Sequence, residues 1–157
     1  MSPRSHVYVL FGLLACLAGC SAIPISDVPS AGTRSAEIFV VRENVFVGSL
    51  NSQYLSIDGV TIARLDAGEY TKFHVAEGTH ALQIRWTIPL HGEYVRTARF
   101  EATAGGQYLF VTWAQRGTNK SPIGADLDYS ETTGIQQWEW KDFDRKMAGK
   151  TYVAPGR

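Results

Sequence analysis

From Ala36 onward, apolar and polar residues alternate with a period of two in short runs, and glycine turns separate the runs. That pattern reads as β-strands joined by tight reversals. Ala36–Arg42 (AEIFVVR) is nearly continuous in β-branched and aromatic residues, which predicts burial on both faces. Gln53–Ile57 and Val60–Leu65 flank Asp58-Gly59, a dipeptide suited to a two-residue hairpin because both central positions need positive φ. That turn places Ile57 beside Val60 and Leu55 beside Ile62, so one face is apolar. Asp66-Ala67-Gly68-Glu69 makes the next reversal, and Tyr70–Val75 and its partner strand Thr79–Trp86 flank Glu77-Gly78. In the first of these, Phe73 and Val75 alternate with Lys72 and His74. In the second, His80, Leu82, Ile84 and Trp86 alternate with Gln83 and Arg85. Val95–Thr103 alternates again, and Ala104-Gly105-Gly106 turns into Gln107–Ala114 (QYLFVTWA), apolar on both faces and therefore central.

About seven short strands with glycine turns predict an all-β fold, an antiparallel β-sandwich. Beyond Gln115 the pattern weakens. Arg116–Gly124 reads as a loop and Ala125–Tyr129 as one more strand. Trp138–Met147 spaces Trp140, Phe143 and Met147 at i, i+3 and i+7, which fits a short C-terminal helix. A strand is the rival there, because Trp138 and Trp140 alternate with Glu139 and Lys141.

The N-terminus has a different pattern. Arg4 supplies a positive start and Val7 through Ala18 an apolar core, the layout of an export signal. The run is shorter than the roughly 20 apolar residues a spanning helix needs. It ends in Leu17-Ala18-Gly19-Cys20, which resembles the lipobox of bacterial lipoproteins. The resemblance implies cleavage of residues 1–19, lipidation of Cys20, and attachment to a membrane outside the cytoplasm. Ser21, where an Asp favours inner-membrane retention, implies the outer membrane. Ser21 to Ser35 (SAIPISDVPSAGTRS) is rich in Pro, Ser and small residues, so residues 20–35 read as the lipidated cysteine plus a flexible linker, and 36–157 as the folded domain.

Composition narrows the function classes. Removing residues 1–19 leaves 138 of 157 residues with 14 basic and 15 acidic side chains. That is enough for one domain with a core, and there is no basic excess for nucleic acid. Cys16 falls in the signal and Cys20 is the lipidation site, so no thiol is left for a disulfide, a thiolate metal site or a nucleophile.

The run from Ala36 to Ala114 resembles DUF2846, a family of bacterial lipoprotein domains. The matching pieces are EIFVVRENVFVGS, the Ile57-Asp58-Gly59 hairpin and Val75-Ala76-Glu77-Gly78-Thr79-His80-Ala81-Leu82. The last piece is also similar to the hairpin of PEGA-type surface β-sandwiches. The resemblance covers about half the chain and implies a β-sandwich without catalytic residues.

Candidate chemistry is sparse. His74 and His80 could be paired as metal ligands, but their strand phases disagree, and zinc needs three or four convergent ligands. His91 stands in a loop beside Gly92. Asp126-Leu127-Asp128-Tyr129-Ser130-Glu131 begins like a calcium loop, yet Glu131 and Gln137 occupy the positions that require Gly and Glu. Asp142 and Asp144 could be drawn as a carboxylate pair, with nothing to fix their separation. Nucleophile elbow, zincin, Walker and dinucleotide signatures are absent from the sequence. No metal or cofactor is expected. The C-terminal aromatics Trp138, Trp140 and Phe143, interleaved with Lys141, Arg145, Lys146 and Lys150, are the candidate binding residues. They suit a protein hot spot or a lipid interface; otherwise they cap the open end of the sandwich. The expectation is a membrane-anchored, periplasm-facing lipoprotein with a non-catalytic structural or binding module. Its rivals are an envelope hydrolase or carbohydrate-processing enzyme, and a docking subunit of an envelope complex.

Overall fold

The computed structural model describes residues 23–44, 51–88, 92–119 and 128–157. The signal segment, Cys20, Ser21, His91 and residues 125–127 lie outside the described residues, as do residues 45–49 at the end of the EIFVVRENVFVGS match. The chain is an all-β sandwich-like fold with nine strands among the described residues: β1 Ser35–Arg42, β2 Gln53–Ile57, β3 Val60–Leu65, β4 Glu69–Ala76, β5 Gly78–Ile88, β6 Gly92–Ala102, β7 Gln107–Asn119, β8 Asp128–Trp138 and the two-residue β9 Thr151–Tyr152. Between β8 and β9 lie a 3-10 turn, Trp140–Asp142, and a five-residue helix α1, Phe143–Met147.

Two sheets form. One has the strand order β8-β7-β1-β4-β9 and the other β3-β2-β5-β6. Their facing residues make the main core: Ile38 and Val40 of β1, Leu55 and Ile57 of β2, Phe73 and Val75 of β4, Leu82, Ile84 and Trp86 of β5, Phe100 of β6 and Phe110 of β7. Alternation along each strand delivers these side chains to one side of the pleat. β1 and β7, read as buried on both faces, sit in the interior of the five-stranded sheet.

The Asp58-Gly59 turn has the expected geometry, with φ of +50° and +84°. Ile57 faces Val60, but the register then shifts, and Leu55 faces Ala63 instead of Ile62. This bulge lets the consecutive apolar residues Ile62 and Ala63 both be buried, which strict alternation forbids.

Two other expectations need correction. β4 and β5 are not hairpin partners. β4 pairs with β1 and β9, β5 with β2 and β6, and Glu77 and Gly78 carry the chain from one sheet to the other. Both strands have one apolar face, and placing them in opposite sheets brings those faces together across the core. The two sheets are mostly antiparallel, as expected, with β1 parallel to β7 and β4 to β9. Arg116–Asn119, expected as loop, extends β7 against Asp128–Glu131 of β8. Further along that hairpin Trp113 faces Gly134, and a Cβ on Gly134 would fall 2.3 Å from the indole. The glycine is needed there so that the tryptophan can lie across the neighbouring strand.

The stretch expected as a flexible linker is partly docked. The Ser26 amide donates to the Thr61 carbonyl at 2.8 Å, and Val28 packs against the main core. The C-terminal tail shares the same edge, with Gly156 N donating to Ile62 O and Arg64 N to Arg157 O. Both chain segments thus cover the otherwise open edge of β3, a standard protection against strand-to-strand association.

Candidate functional site

The three aromatics singled out at the C-terminus come together, but over a face of the sandwich and not at its end. β1 and β7 point Phe39, Val41 and Leu109 out of the five-stranded sheet, away from the main core. After β8 ends at Trp138, the 3-10 turn and α1 fold back over these residues. Phe39 meets Trp140 edge-on at 5.4 Å and Phe143 edge-on at 5.0 Å, while Trp140 and Phe143 stack at 4.4 Å. The helix and strand expectations for Trp138–Met147 are therefore each right for part of the segment. Trp138 lies under a cationic lid, with Lys146 Nζ 3.8 Å and Arg145 5.4 Å from its ring. Lys146 also pairs with Glu43, and Lys150 reaches Glu43 at 3.9 Å, which ties α1 to the end of β1. Trp140 remains 39% and Tyr152 46% exposed. The patch has apolar contact area and rigid aromatic rings.

The second constellation is at the opposite end of β1, where the β2–β3 turn meets the β4–β5 crossing. His80 Nδ1 lies 2.6 Å from Asp58 Oδ2, and its Nε2 lies 2.9 Å from the Ala76 carbonyl. Asp58 also accepts from the Ala81 amide at 2.8 Å. Both partners of the ring are acceptors, so only the doubly protonated imidazolium donates to each. Burial works against that charge, but the bonds to Asp58 and the Ala76 carbonyl and the charges of Asp58 and Glu101 outweigh it, and the His80 pKa is raised. Burial likewise opposes the ionised Asp58, while the Ala81 amide and His80 overcome it and lower the Asp58 pKa.

His74 and His80 line one shallow cleft of about 90 Å³ with Asp58, Ile57, Val75 and residues 28–30. The sheet crossing sets both histidines along one cleft despite their opposite strand phases. Among the described residues no three metal-ligating side chains converge. The calcium-loop reading finds Asp128 to Glu131 within β8, with Asp126 outside the described residues. Of the proposed carboxylate pair, Asp142 accepts from Arg145 at 2.6 Å and Asp144 lies in α1.

A third group was not foreseen in the sequence. Arg42 ends the apolar run of β1 and is 1% exposed, with Nη1 donating to the Leu65 carbonyl at 2.7 Å. Burial lowers its pKa, against the charges of Asp66 and Glu69. Thr112 donates to Gln53 Oε1 at 2.8 Å in the same end layer of the core. Gln53 Nε2 and Thr71 Oγ1 are buried without a hydrogen-bond partner among the described residues. The sequence signal for this layer was a polar residue at an inward-facing position of each of four strands.

No family model, no curated protein and no solved structure matches the chain. The functional reading therefore rests on the residues themselves.

Proposed function

We propose that the chain is a lipid-anchored envelope protein, attached through Cys20 to the outer membrane and facing the periplasm, whose β-sandwich acts as a non-catalytic structural or binding module. The observation that carries this reading is the joining of two features. Leu17-Ala18-Gly19-Cys20 has the form of a lipobox, and six residues later Ser26 is already bonded to the edge of β3. Six residues span at most about 20 Å, so the anchor holds the sandwich against the bilayer surface. Two or more acyl chains on one cysteine give stable attachment at about 0.8 kcal/mol per buried methylene. The test is metabolic labelling with a tagged fatty acid, followed by detergent phase partition, on the parent and on Cys20→Ser. The parent takes up label and enters the detergent phase; Cys20→Ser does neither. A Cys20→Ser chain that is processed normally and still partitions with membranes refutes the reading.

A docking role for the C-terminal patch is the second reading, favoured by the exposed parts of Trp140 and Tyr152. Cross-linked pull-downs from envelopes, comparing the parent with Trp140→Ala, separate the two. A partner lost in the variant assigns the patch to docking.

A further inference from the structure

We propose that the Asp58–His80 joint is a proton-operated latch that holds the N-terminal strap, residues 26–34, on the sandwich. The strap is hydrogen-bonded near both ends, and Val28 between them packs against the main core. Ser26 donates to Thr61 on β3, and at the other end Arg34 pairs with Glu77 at 2.6 Å while the Glu77 amide donates to the Arg34 carbonyl. Between them, residues 28–30 form one wall of the cleft whose other wall is Ile57, Asp58, His74, Val75, Ala76 and His80. The strap therefore rests on the corner that His80 ties together.

The tie depends on charge. As an imidazolium, His80 donates to the Asp58 carboxylate and to the Ala76 carbonyl at once, linking the β2–β3 turn to the end of β4. Loss of one ring proton leaves a nitrogen lone pair facing an oxygen, and one of the two bonds is lost. The groups facing the ring are Asp58 from the β2–β3 turn, Glu101 and the Phe100 ring from β6, and the Ala76 carbonyl from β4, with His74 lining the same cleft. Glu77, at the crossing, is engaged by Arg34. Residues 28–30 of the strap bring no ionisable side chain. Both carboxylates favour the charged ring, so the latch is closed in mild acid and loosens as pH rises through the raised His80 titration.

If Cys20 is the anchor, as the proposed function holds, the latch sets the reach of the tether. With the strap docked, six residues join the lipid to the domain, a span of about 20 Å; with the strap free, the fifteen residues to Ser35 span about 50 Å. Deprotonation would let the sandwich stand off from its membrane.

The test is amide hydrogen exchange on the full chain in detergent micelles at pH 5.5 and 8.5, with rates corrected for the intrinsic pH dependence of exchange. Protection of the Ser26 amide is expected to fall about tenfold at the higher pH, the worth of one charge-assisted hydrogen bond. Protection of the β1 amides should hold. The step should vanish in His80→Gln and persist in His74→Gln. A second measurement, the nitrogen chemical shifts of the His80 ring, should show both nitrogens protonated at pH 5.5. Flat protection at Ser26, a step that survives in His80→Gln or follows His74, or a neutral His80 ring at pH 5.5 overturns the latch. These readouts do not require the lipid, so they stand or fall separately from Cys20→Ser.

Discussion

The five-stranded sheet covers its two faces by different means. Its inner face meets a second sheet, where backbone pairing fixes every strand and where Ile38, Val40 and Phe110 are at most 1% exposed. Its outer face carries Phe39, Val41 and Leu109 from the same two strands, yet the cover is one short turn and a five-residue helix. A helix that short does not persist alone in water. It holds its place through side chains, namely the Phe39, Trp140 and Phe143 rings and the pairing of Glu43 with Lys146 and Lys150. Equal apolarity along a strand thus does not mean equal permanence of what lies on it. The inner contacts should open only with the global fold, and the outer ones are expected to open as a separate unit.

Truncation on each side puts numbers on that difference. Phe110→Ala removes a ring packed 4.9 Å from Phe100 in the main core and should cost about 3–5 kcal/mol in denaturant unfolding. Trp140→Ala should cost about 1–2 kcal/mol, since a half-buried ring gives up its aromatic pairs, each about 0.5–1.5 kcal/mol, but creates no sealed cavity. The full 3–5 kcal/mol expected of a tryptophan buried in a cap does not apply to a side chain that is 39% exposed. If the two variants unfold at the same denaturant concentration, the outer core is as integral as the inner one and the distinction fails.

The legible parts of the chain are those where local pattern and tertiary need agree. Alternation places β2 through β6 within about three residues at each end, and Asp58-Gly59 announces its turn, because hairpin chemistry is local. The sheet to which a strand belongs is not local. β4 and β5 look like the arms of a hairpin, and only their common demand to bury Phe73, Val75, Leu82 and Ile84 face to face separates them. The double apolarity of β1 and β7 was visible, but not that Trp140 and Phe143 would supply the second cover. Likewise Asp58 and His80 could each be noticed, yet their meeting depends on β2 pairing with β5, a contact between residues 22 apart. Arg42 reads in sequence as the end of a strand, because the inward-facing polar positions that mark its layer, Gln53, Thr71 and Thr112, stand on three other strands and are not its neighbours along the chain.

The Asp58–His80 joint offers a comparison by pH, because it belongs to the turn end of the sandwich and to neither cover. The folded His80 pKa is raised, so its contribution is complete below the unfolded value near 6.5 and is lost as pH climbs through the folded one. The folded Asp58 pKa is lowered, so its contribution is complete above the unfolded value near 3.9 and is lost as pH falls through the folded one. Unfolding free energy should therefore decline on going from pH 6 to pH 8.5 in the parent and stay flatter in His80→Gln. Equal slopes in the two proteins would mean that His80 does not carry its proton into the fold.

The smallest effect is the most specific to the outer cover. Glu43 is the carboxylate that both Lys146 and Lys150 approach, and the three side chains are 29%, 16% and 11% exposed. Glu43→Gln keeps the shape and removes the charge. Exposed ion pairs are worth about 0.2–1 kcal/mol, and this sheltered one should fall at the upper end, so global unfolding should move by less than about 1 kcal/mol. Local opening should respond more visibly. The Ala148 amide, which donates to the Asp144 carbonyl at the end of α1, should exchange several-fold faster in Glu43→Gln, while amides of β1 and β7 keep their parent rates. Added salt should produce part of the same change in the parent, because screening weakens what the charge holds. If β1 and Ala148 instead lose protection by the same factor, the cover opens only when the whole sandwich unfolds, and the two faces of the sheet are one cooperative unit.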